Sequence, residues 1–302
     1  MCELIVMVGL QGSGKSTIAE ELKDGLENCE IVSSDQIRKE YNHQITNDKV
    51  FKIYYERARK FLEEGKSVIL DATNITMKSR RQVFEQLKGI DCTKCCYIVN
   101  TPVNICADRL IERNKTNEQE EVPLEVLYKY LKSFEMPFME EGWDEIIIHD
   151  LDLFNIVQYA YTIDNMEGFD QKNHHHKYTL GEHCRLLENY LRDYGFPKDT
   201  GTFHDVGKML TQTMGEDGNA HYLQHHNVGD YFLLSHPYLI ETQDYLDLLF
   251  YVNYHMQMFN LQTDKAREKW RSRFGEHKFE MLEILHKGDK KASGTYDTET
   301  NT

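Results

Sequence analysis

The chain has 302 residues, with 35 basic and 50 acidic side chains, a formal net charge of -15 and 40% hydrophobic residues. That length exceeds one ordinary domain and is read as two, and no apolar run approaches the roughly 18 residues of a membrane span. The acidity argues against a generic nucleic-acid binder, whose footprint is basic. It is evenly spread: up to residue 160 there are 20 Lys/Arg and 28 Asp/Glu (20 − 28 = -8), and beyond it 15 and 22 (15 − 22 = -7). Histidine is not, since 12 of the 14 follow residue 170.

In chain order, the apolar stretch of residues 4–10 lacks a basic leader and runs into a glycine loop. It is therefore read as a strand and not as a signal peptide, with a cytoplasmic location expected. Further β-rich runs lie at residues 31–33, 68–70, 95–99 and 146–148, separated by helical patterns, which is the rhythm of a parallel sheet with crossover helices. The runs are continuous rather than alternating, as strands covered on both faces should be. Cys92 and Cys95 have CxxC spacing, but no second pair follows at a zinc-like interval, so they are read as strand residues. Periodicity weakens over residues 150–172. Four segments are assigned: a first domain over 1–152, a linker over 153–172, a helical domain over 173–292 and a small, polar, disordered tail over 293–302.

Gly9, Gly14, Lys15 and Ser16 fit GxxxxGK[ST] directly after a strand and before a helical pattern, the context a phosphate loop requires. Backbone N–H groups around Gly12, Ser13, Gly14, Ser16 and Thr17 would wrap phosphate, Lys15 would reach the transferred phosphoryl group and the Ser16 hydroxyl would bind Mg²⁺. Asp35 ends the second strand run and Arg38 follows on one helical face, so a carboxylate able to accept a hydroxyl proton and a guanidinium able to grip an acceptor phosphate lie together. Asp35 could equally be the N-cap of the segment from Gln36. Asp71, Thr73 and Asn74 close the third run, at the carboxyl ends of strands where ligands bind such sheets, and with Asp35 and Arg38 they make up the expected acceptor set. Asp71 is either a magnesium group or a turn starter. Arg109 and Arg113, spaced i, i+4, could close over the γ-phosphate as a lid or simply form a solvated helix face.

These residues resemble the phage-type polynucleotide 5′-kinases over about residues 1–150, through Gly9 to Thr17, Ser-Asp-Gln-Ile-Arg with Asp35 and Arg38, Asp-Ala-Thr-Asn at 71–74, Arg-Leu-Ile-Glu-Arg-Asn at 109–114 and Val122-Pro123. The resemblance implies an α/β P-loop kinase domain that uses ATP or GTP with Mg²⁺. In it the Asp35 carboxylate is the general base, Arg38 contacts the acceptor phosphate and the lid arginines hold the transferred group. The chain departs from that family after Asn114, where Lys115 is followed by Thr116, Asn117 and the acidic residues 118–121.

In the second half, polar groups fall on apolar helical stripes. His183 lies with Leu186, Leu187, Tyr190 and Leu191; His255 follows Leu248 and Val252; Asp289 follows Leu282 and Leu285; His204 and Asp205 sit among Phe203, Val206 and Leu210. Burying so many ionisable groups is costly unless they pair or bind a metal. The order His183, His204-Asp205, Asp289 resembles the HD phosphohydrolases over roughly residues 172–292, through Thr-Leu-Gly-Glu-His and Phe-His-Asp-Val-Gly-Lys. That resemblance implies an all-α domain holding one or two metal ions on these four residues, with His225 or His226 and His255 as further ligands. The triple His174, His175 and His176 is read as loop, with His176 as a possible support for a ligand.

Nitrogen and carboxylate ligands with open positions suit Mn, Ni, Fe, Co or Mg better than a closed zinc site. Lys208, one turn after His204, could stabilise developing phosphate charge or be a surface lysine. Five basic residues around Trp270, over residues 265–273, could grip a nucleic-acid backbone or form a solvated helix face. The expected whole is an enzyme acting on nucleic-acid ends, RNA more than DNA, that phosphorylates 5′-OH ends and hydrolyses 2′,3′-cyclic or 2′-phosphates. A nucleoside or metabolite kinase fused to a nucleotidase, and a nucleotide-sensing module that regulates the second domain, are the alternatives.

Overall fold

A computed structural model of the chain describes residues 2–115, 121–149, 156–173, 177–240 and 244–294. Its contacts divide it into two units, Met1–Asp150 and Leu151–Thr302.

The first unit runs β1 (Glu3–Val8), α1 (Lys15–Asp24), β2 (Cys29–Ser33), α2 (Ser34–Glu40), α3 (Asn47–Glu63), β3 (Ser67–Asp71), α4 (Met77–Gln86), β4 (Thr93–Ile98), α5 (Val103–Lys115), α6 (Leu124–Leu131) and β5 (Glu145–Ile148). The five strands form one parallel sheet in the order β2-β3-β1-β4-β5, with Ile5 opposite Ile69 on one side and Cys95 on the other. Leu4, Ile5, Val6, Met7 and Val8 are each at most 6% exposed. Helices therefore cover both faces, and that is why the strand reads as an unbroken apolar run. Cys95 lies in β4 and Cys92 just before it, both buried, as strand membership predicts.

Ser33 is the N-cap of α2, its hydroxyl accepting from the Gln36 amide at 3.4 Å, so Asp35 lies in the first turn and is not the cap. Arg80 on α4 and Glu141 form a bidentate pair at 2.7 and 2.6 Å, with side chains 0% and 2% exposed. Arg80 Nη1 also donates to the Asn74 carbonyl at 3.2 Å, bracing the loop that follows β3.

The second unit runs α7 (Ile156–Glu167), α8 (Leu180–Leu191), α9 (Thr200–Phe203), α10 (Lys208–Thr211), β6 (Thr213–Met214), β7 (Ala220–His221), α11 (His225–Leu234), α12 (Tyr245–Tyr254), α13 (Asp264–Phe274) and α14 (Glu276–Ala292). It is helical apart from the two-residue β6-β7 hairpin, which corrects the all-α expectation and is closed by the turn around residues 215–218.

A second correction is α7, which occupies much of the expected linker at 153–172. Its Thr162 and Met166 are buried and Tyr159 packs edge-on against Phe203, with ring centroids 5.7 Å apart. Scattered Asn and Asp had masked that helical face. Residues 174–176 and 295–302 lie outside the described residues, and so do the expectations placed on them. α8 opens with a capping box, Thr179 Oγ1 accepting from the Glu182 amide while Glu182 Oε2 accepts from the Thr179 amide, so the Thr-Leu-Gly-Glu-His motif is in part a helix start. Its buried stripe is Leu180, His183, Cys184, Leu187 and Leu191; Leu186, expected on that stripe, is 43% exposed.

Candidate functional sites

In the first unit, β1 delivers the chain into a loop that turns at Gly12 (φ 78°) and Gly14 (φ 100°), both in the left-handed region. A Cβ at Gly12 would lie 2.6 Å from the Cys106 carbonyl oxygen, so glycine is required there for space as well as for backbone conformation. α1 starts at Lys15, whose ammonium donates to the Leu10 carbonyl at 2.8 Å; burial lowers its pKa, partly offset by Asp71 and Asp35. A buried cation inside the loop is poised for an anion.

The Ser16 hydroxyl donates to Asp71 Oδ2 at 2.8 Å, which places Asp71 beside the hydroxyl expected to bind Mg²⁺. Asn74 is removed from the acceptor set: it is 4% exposed, and its amide donates to the Met7 carbonyl at 2.9 Å, tying the loop to β1. Thr73 meets the loop through its backbone, its carbonyl accepting from the Gly9 amide at 3.1 Å.

Asp35 and Arg38 form a pair at 2.8 Å, with side chains 75% and 23% exposed, and Arg38 is held further by Asn47 Oδ1 at 3.0 Å. A cavity of about 670 Å³ is lined by Ser16, Asp35, Asp71 and Arg113 together with Lys39 and Arg57. The two candidate lid arginines separate in role. Arg113 faces that cavity, whereas Arg109 reaches over the loop, donating to the carbonyls of Ser13 at 3.1 Å and Gly12 at 3.3 Å. Arg57, which no sequence motif marks, is gripped by both oxygens of Glu40 at 3.0 and 2.6 Å. Residues 116–120, within the stretch where the chain departs from the polynucleotide-kinase pattern, lie outside the described residues.

In the second unit, imidazole nitrogens and carboxylate oxygens converge. His183 Nε2 lies 3.1 Å from His204 Nε2, 3.3 Å from Asp205 Oδ2 and 3.1 Å from Asp289 Oδ1. The other oxygen of Asp205 faces a second set: His225 Nε2 at 3.0 Å and His255 Nε2 at 3.5 Å, with the two nitrogens 3.2 Å apart. Three of the four imidazoles are anchored alike, Nδ1 bonding a backbone carbonyl at 2.8 Å (His204 to Gly201), 2.9 Å (His225 to Tyr222) and 2.8 Å (His255 to Val252). An Nδ1–H donated to a carbonyl leaves the lone pair on Nε2, the arrangement that orients a metal ligand. Ligand atoms about 2.1 Å from one divalent ion and at right angles to one another are about 3 Å apart, so both sets fit a cation.

The electrostatics agree. Burial raises the carboxyls of Asp205 and Asp289, but His204, His183 and, for Asp205, Lys208 outweigh it and hold both well below the usual carboxylate range. Burial lowers His183, yet Asp205 and Asp289 lift it to about 9. The field that draws a proton there would draw a metal ion.

His226, offered as an alternative ligand, joins neither set: its ring centroid is 6.0 Å from that of His255, and burial together with His255 and His225 pushes its pKa down to about 3. Lys208 is not a surface lysine. Only 5% exposed, it donates to Asp205 Oδ2 at 2.7 Å and to Gln171 Oε1 at 3.0 Å. Gln171 has no motif to announce it, being one glutamine in a polar stretch. The basic helix around Trp270 buries Phe274 and leaves Lys265 and Lys269 exposed, while its half-buried Arg267 and Arg271 pair with Glu283 and Glu276 and lie over the Phe279 ring, and Trp270 packs at a tilt on Phe274 with ring centroids 4.9 Å apart.

Residues 4–137 match a family model described as AAA domain, less than half of the chain. The phosphate loop of the N-terminal unit lies within that matched segment. A bifunctional polynucleotide phosphatase/kinase of Schizosaccharomyces pombe is 28% identical over 145 residues, which are 48% of this chain and 32% of that protein. The chain thus spans about a third of that relative. The L-seryl-tRNA(Sec) kinase of Methanococcus maripaludis is 27% identical over 233 residues, 72% of this chain and 79% of that protein. A fungal RNA kinase crystal structure covers 54% of this chain and 86% of its own at 18% identity, with a TM-score of 0.38. Among the described residues, no helix is long and apolar enough to cross a membrane.

Proposed function

We propose that the chain is a nucleic-acid end-healing enzyme with two active sites. Its P-loop kinase domain would transfer the γ-phosphoryl group of ATP or GTP to a 5′-hydroxyl end, RNA in preference to DNA. Its helical unit would be an HD-type metal-dependent phosphohydrolase that removes 2′,3′-cyclic or 2′-phosphates. The observation that carries the first half is the cavity shared by Ser16, Asp35, Asp71 and Arg113, a base and a cation beside the phosphate loop. Similarity to a bifunctional polynucleotide phosphatase/kinase and to an L-seryl-tRNA(Sec) kinase supports a hydroxyl acceptor carried by nucleic acid.

In the kinase step the acceptor oxygen bonds to the γ-phosphorus as the bond to the β,γ-bridging oxygen breaks. The acceptor's proton passes to Asp35, and Arg38 holds a neighbouring phosphate. Lys15 and Arg113 balance the charge on the transferred group, while Ser16 and Asp71 would hold Mg²⁺.

The second half rests on the two converging ligand sets joined by Asp205. His183, His204, Asp205 and Asp289 would hold one divalent ion and Asp205, His225 and His255 a second, drawn from Mn, Ni, Fe, Co or Mg. Such ions lower the pKa of water and bind phosphate oxygens. Asp205, Asp289 and Lys208 together sum to one negative charge, so a single divalent ion already makes the site attractive to phosphate, and Lys208 adds a fixed cation beside it.

The combination suits RNA broken by transesterification, whose ends are a 5′-hydroxyl and a 2′,3′-cyclic phosphate. Incubation with such an RNA, ATP and Mn²⁺, followed by mapping both ends, tests it. A 5′-phosphate and a hydrolysed cyclic end are expected, and two unaltered ends overturn it. One observation favours a second reading, a nucleoside or metabolite kinase fused to a nucleotidase. The cavity's five basic residues (Lys23, Lys39, Arg57, Lys60 and Arg113) are matched by five acidic ones (Glu20, Glu30, Asp35, Glu40 and Asp71). Phosphorylation of nucleosides but not of oligonucleotides would select it.

A further inference from the structure

We infer that Glu188 is a positioning residue for His204, acting through the peptide of Gly201 to aim the imidazole at the first ligand set. The inference rests on the metal-dependent reading of the helical unit. Glu188 lies on α8, five residues after His183, on a helix whose sequence marks that position as ordinary polar surface. Its carboxylate instead collects three backbone amides: Asp199 N donates to Oε1 at 3.1 Å, and Gly201 N and Thr202 N donate to Oε2 at 2.7 and 3.1 Å. The carbonyl of Gly201 in turn bonds Nδ1 of His204 at 2.8 Å. One residue therefore joins the Glu188 carboxylate to the ring.

The segment is over-determined in a way that a passive loop has no need of. Asp199 has φ 68°, a left-handed conformation that a non-glycine residue keeps only where its surroundings impose it. Glu188 holds its amide, and Tyr159 donates a phenolic hydrogen bond to its Oδ1 at 3.0 Å. A Cβ at Gly201 would lie 2.4 Å from the Glu188 amide nitrogen, so the loop backbone is pressed against the helix that carries His183. Bonds from amides to a carboxylate are roughly twice as strong as neutral ones. Together they fix the distance between α8 and the start of α9, and with it the spacing of His183 and His204. In the second ligand set the two imidazoles, His225 and His255, are anchored instead on the carbonyls of Tyr222 and Val252.

The test is a Co²⁺ titration of the metal-stripped full chain, read by visible absorption, with the unfolding temperature of each metal-free variant recorded beside it. Wild type, His204→Ala, Glu188→Ala and Glu188→Gln are compared. Loss of a group that orients a ligand typically weakens metal affinity by about 10- to 100-fold. Glu188→Ala is therefore expected to raise the Kd by that factor and to shift the absorption band in the direction that His204→Ala shifts it. Glu188→Gln keeps a carbonyl oxygen for the Gly201 amide and should recover part of the loss; it also serves if the alanine variant fails to fold. A wild-type Kd and band in the folded Glu188 variants, whatever their stability, would overturn the inference and leave Glu188 a helix cap. A wild-type chain that binds no Co²⁺ would instead overturn the metal-dependent reading beneath it.

Discussion

Replacing Asp35 with asparagine separates catalysis from stability, because the structure makes the two costs very different. The Asp35 side chain is 75% exposed and its one ion pair, to Arg38, is of the i, i+3 surface kind. Such pairs contribute about 0–1 kcal/mol, and Arg38 keeps its bond to Asn47 in the variant. A loss of 1 kcal/mol would lower the unfolding temperature of a unit of this size by roughly 2–4 °C at most. A missing general base, by contrast, typically costs about 10²–10⁴ in rate, or about 2.7–5.4 kcal/mol at 1.36 kcal/mol per decade. The assay is the initial rate of label transfer from γ-labelled ATP to a 5′-OH oligonucleotide at saturating ATP, with calorimetry on the same preparation. A rate loss under tenfold refutes Asp35 as the base. A large loss accompanied by a fall of more than about 4 °C refutes the claim that the residue is structurally dispensable.

Lys15→Ala should abolish 5′-phosphorylation and spare phosphohydrolysis, while Asp205→Asn should strip metal, measured by mass spectrometry, and do the reverse; losses that travel together refute two independent sites. Arg80→Leu leaves the buried Glu141 carboxyl without its partner, which should cost about 3–5 kcal/mol in denaturant unfolding of the N-terminal unit, with the Arg80→Leu/Glu141→Leu double variant recovering much of it. The metal-free helical unit should lose stability with rising pH. His183 is lifted from 6.5 to about 9, so its contribution is fully present below 6.5 and is lost as pH rises through 9, and an EDTA-treated unfolding temperature that climbs over that window contradicts it. Since the five basic residues lining the cavity are matched by five acidic ones, little net positive charge faces a nucleic-acid backbone there. Oligonucleotide affinity should therefore fall with log salt at a slope no steeper than about -2, and a much steeper slope would mean that the protein grips more phosphates than this cavity can neutralise.

Some of this was legible at once and some was not, for reasons visible at single residues. The loop from Gly9 to Ser16 is a local object: its glycines, its lysine and the strand before it are contiguous, so sequence order already states their spatial order. The strand runs are equally plain, since burial on both faces of the central β1 and β3 leaves an unbroken apolar signature and the edge strands β2 and β5 keep short β-rich runs beside them. Helix α7 is not legible in the sequence because its buried Thr162 and Met166 and half-buried Tyr159 are interrupted by polar residues that imitate a linker. Leu186 was placed on the inward stripe by counting, and the packing of α8 turned it outward.

The acidic, two-unit character, the phosphate loop and the presence of polar groups on apolar helical faces were determined by the amino-acid sequence alone, since each depends on neighbours within a turn or a strand. Which of those polar groups meet was decided only by folding. Asn74 became a brace and Asp71 a partner of Ser16; His225 joined the cluster and His226 did not; Lys208 and Gln171 closed around Asp205. A ligand is a lone pair pointing at a place, and that direction is set by carbonyls such as those of Gly201, Tyr222 and Val252, whose positions relative to other helices no local pattern encodes.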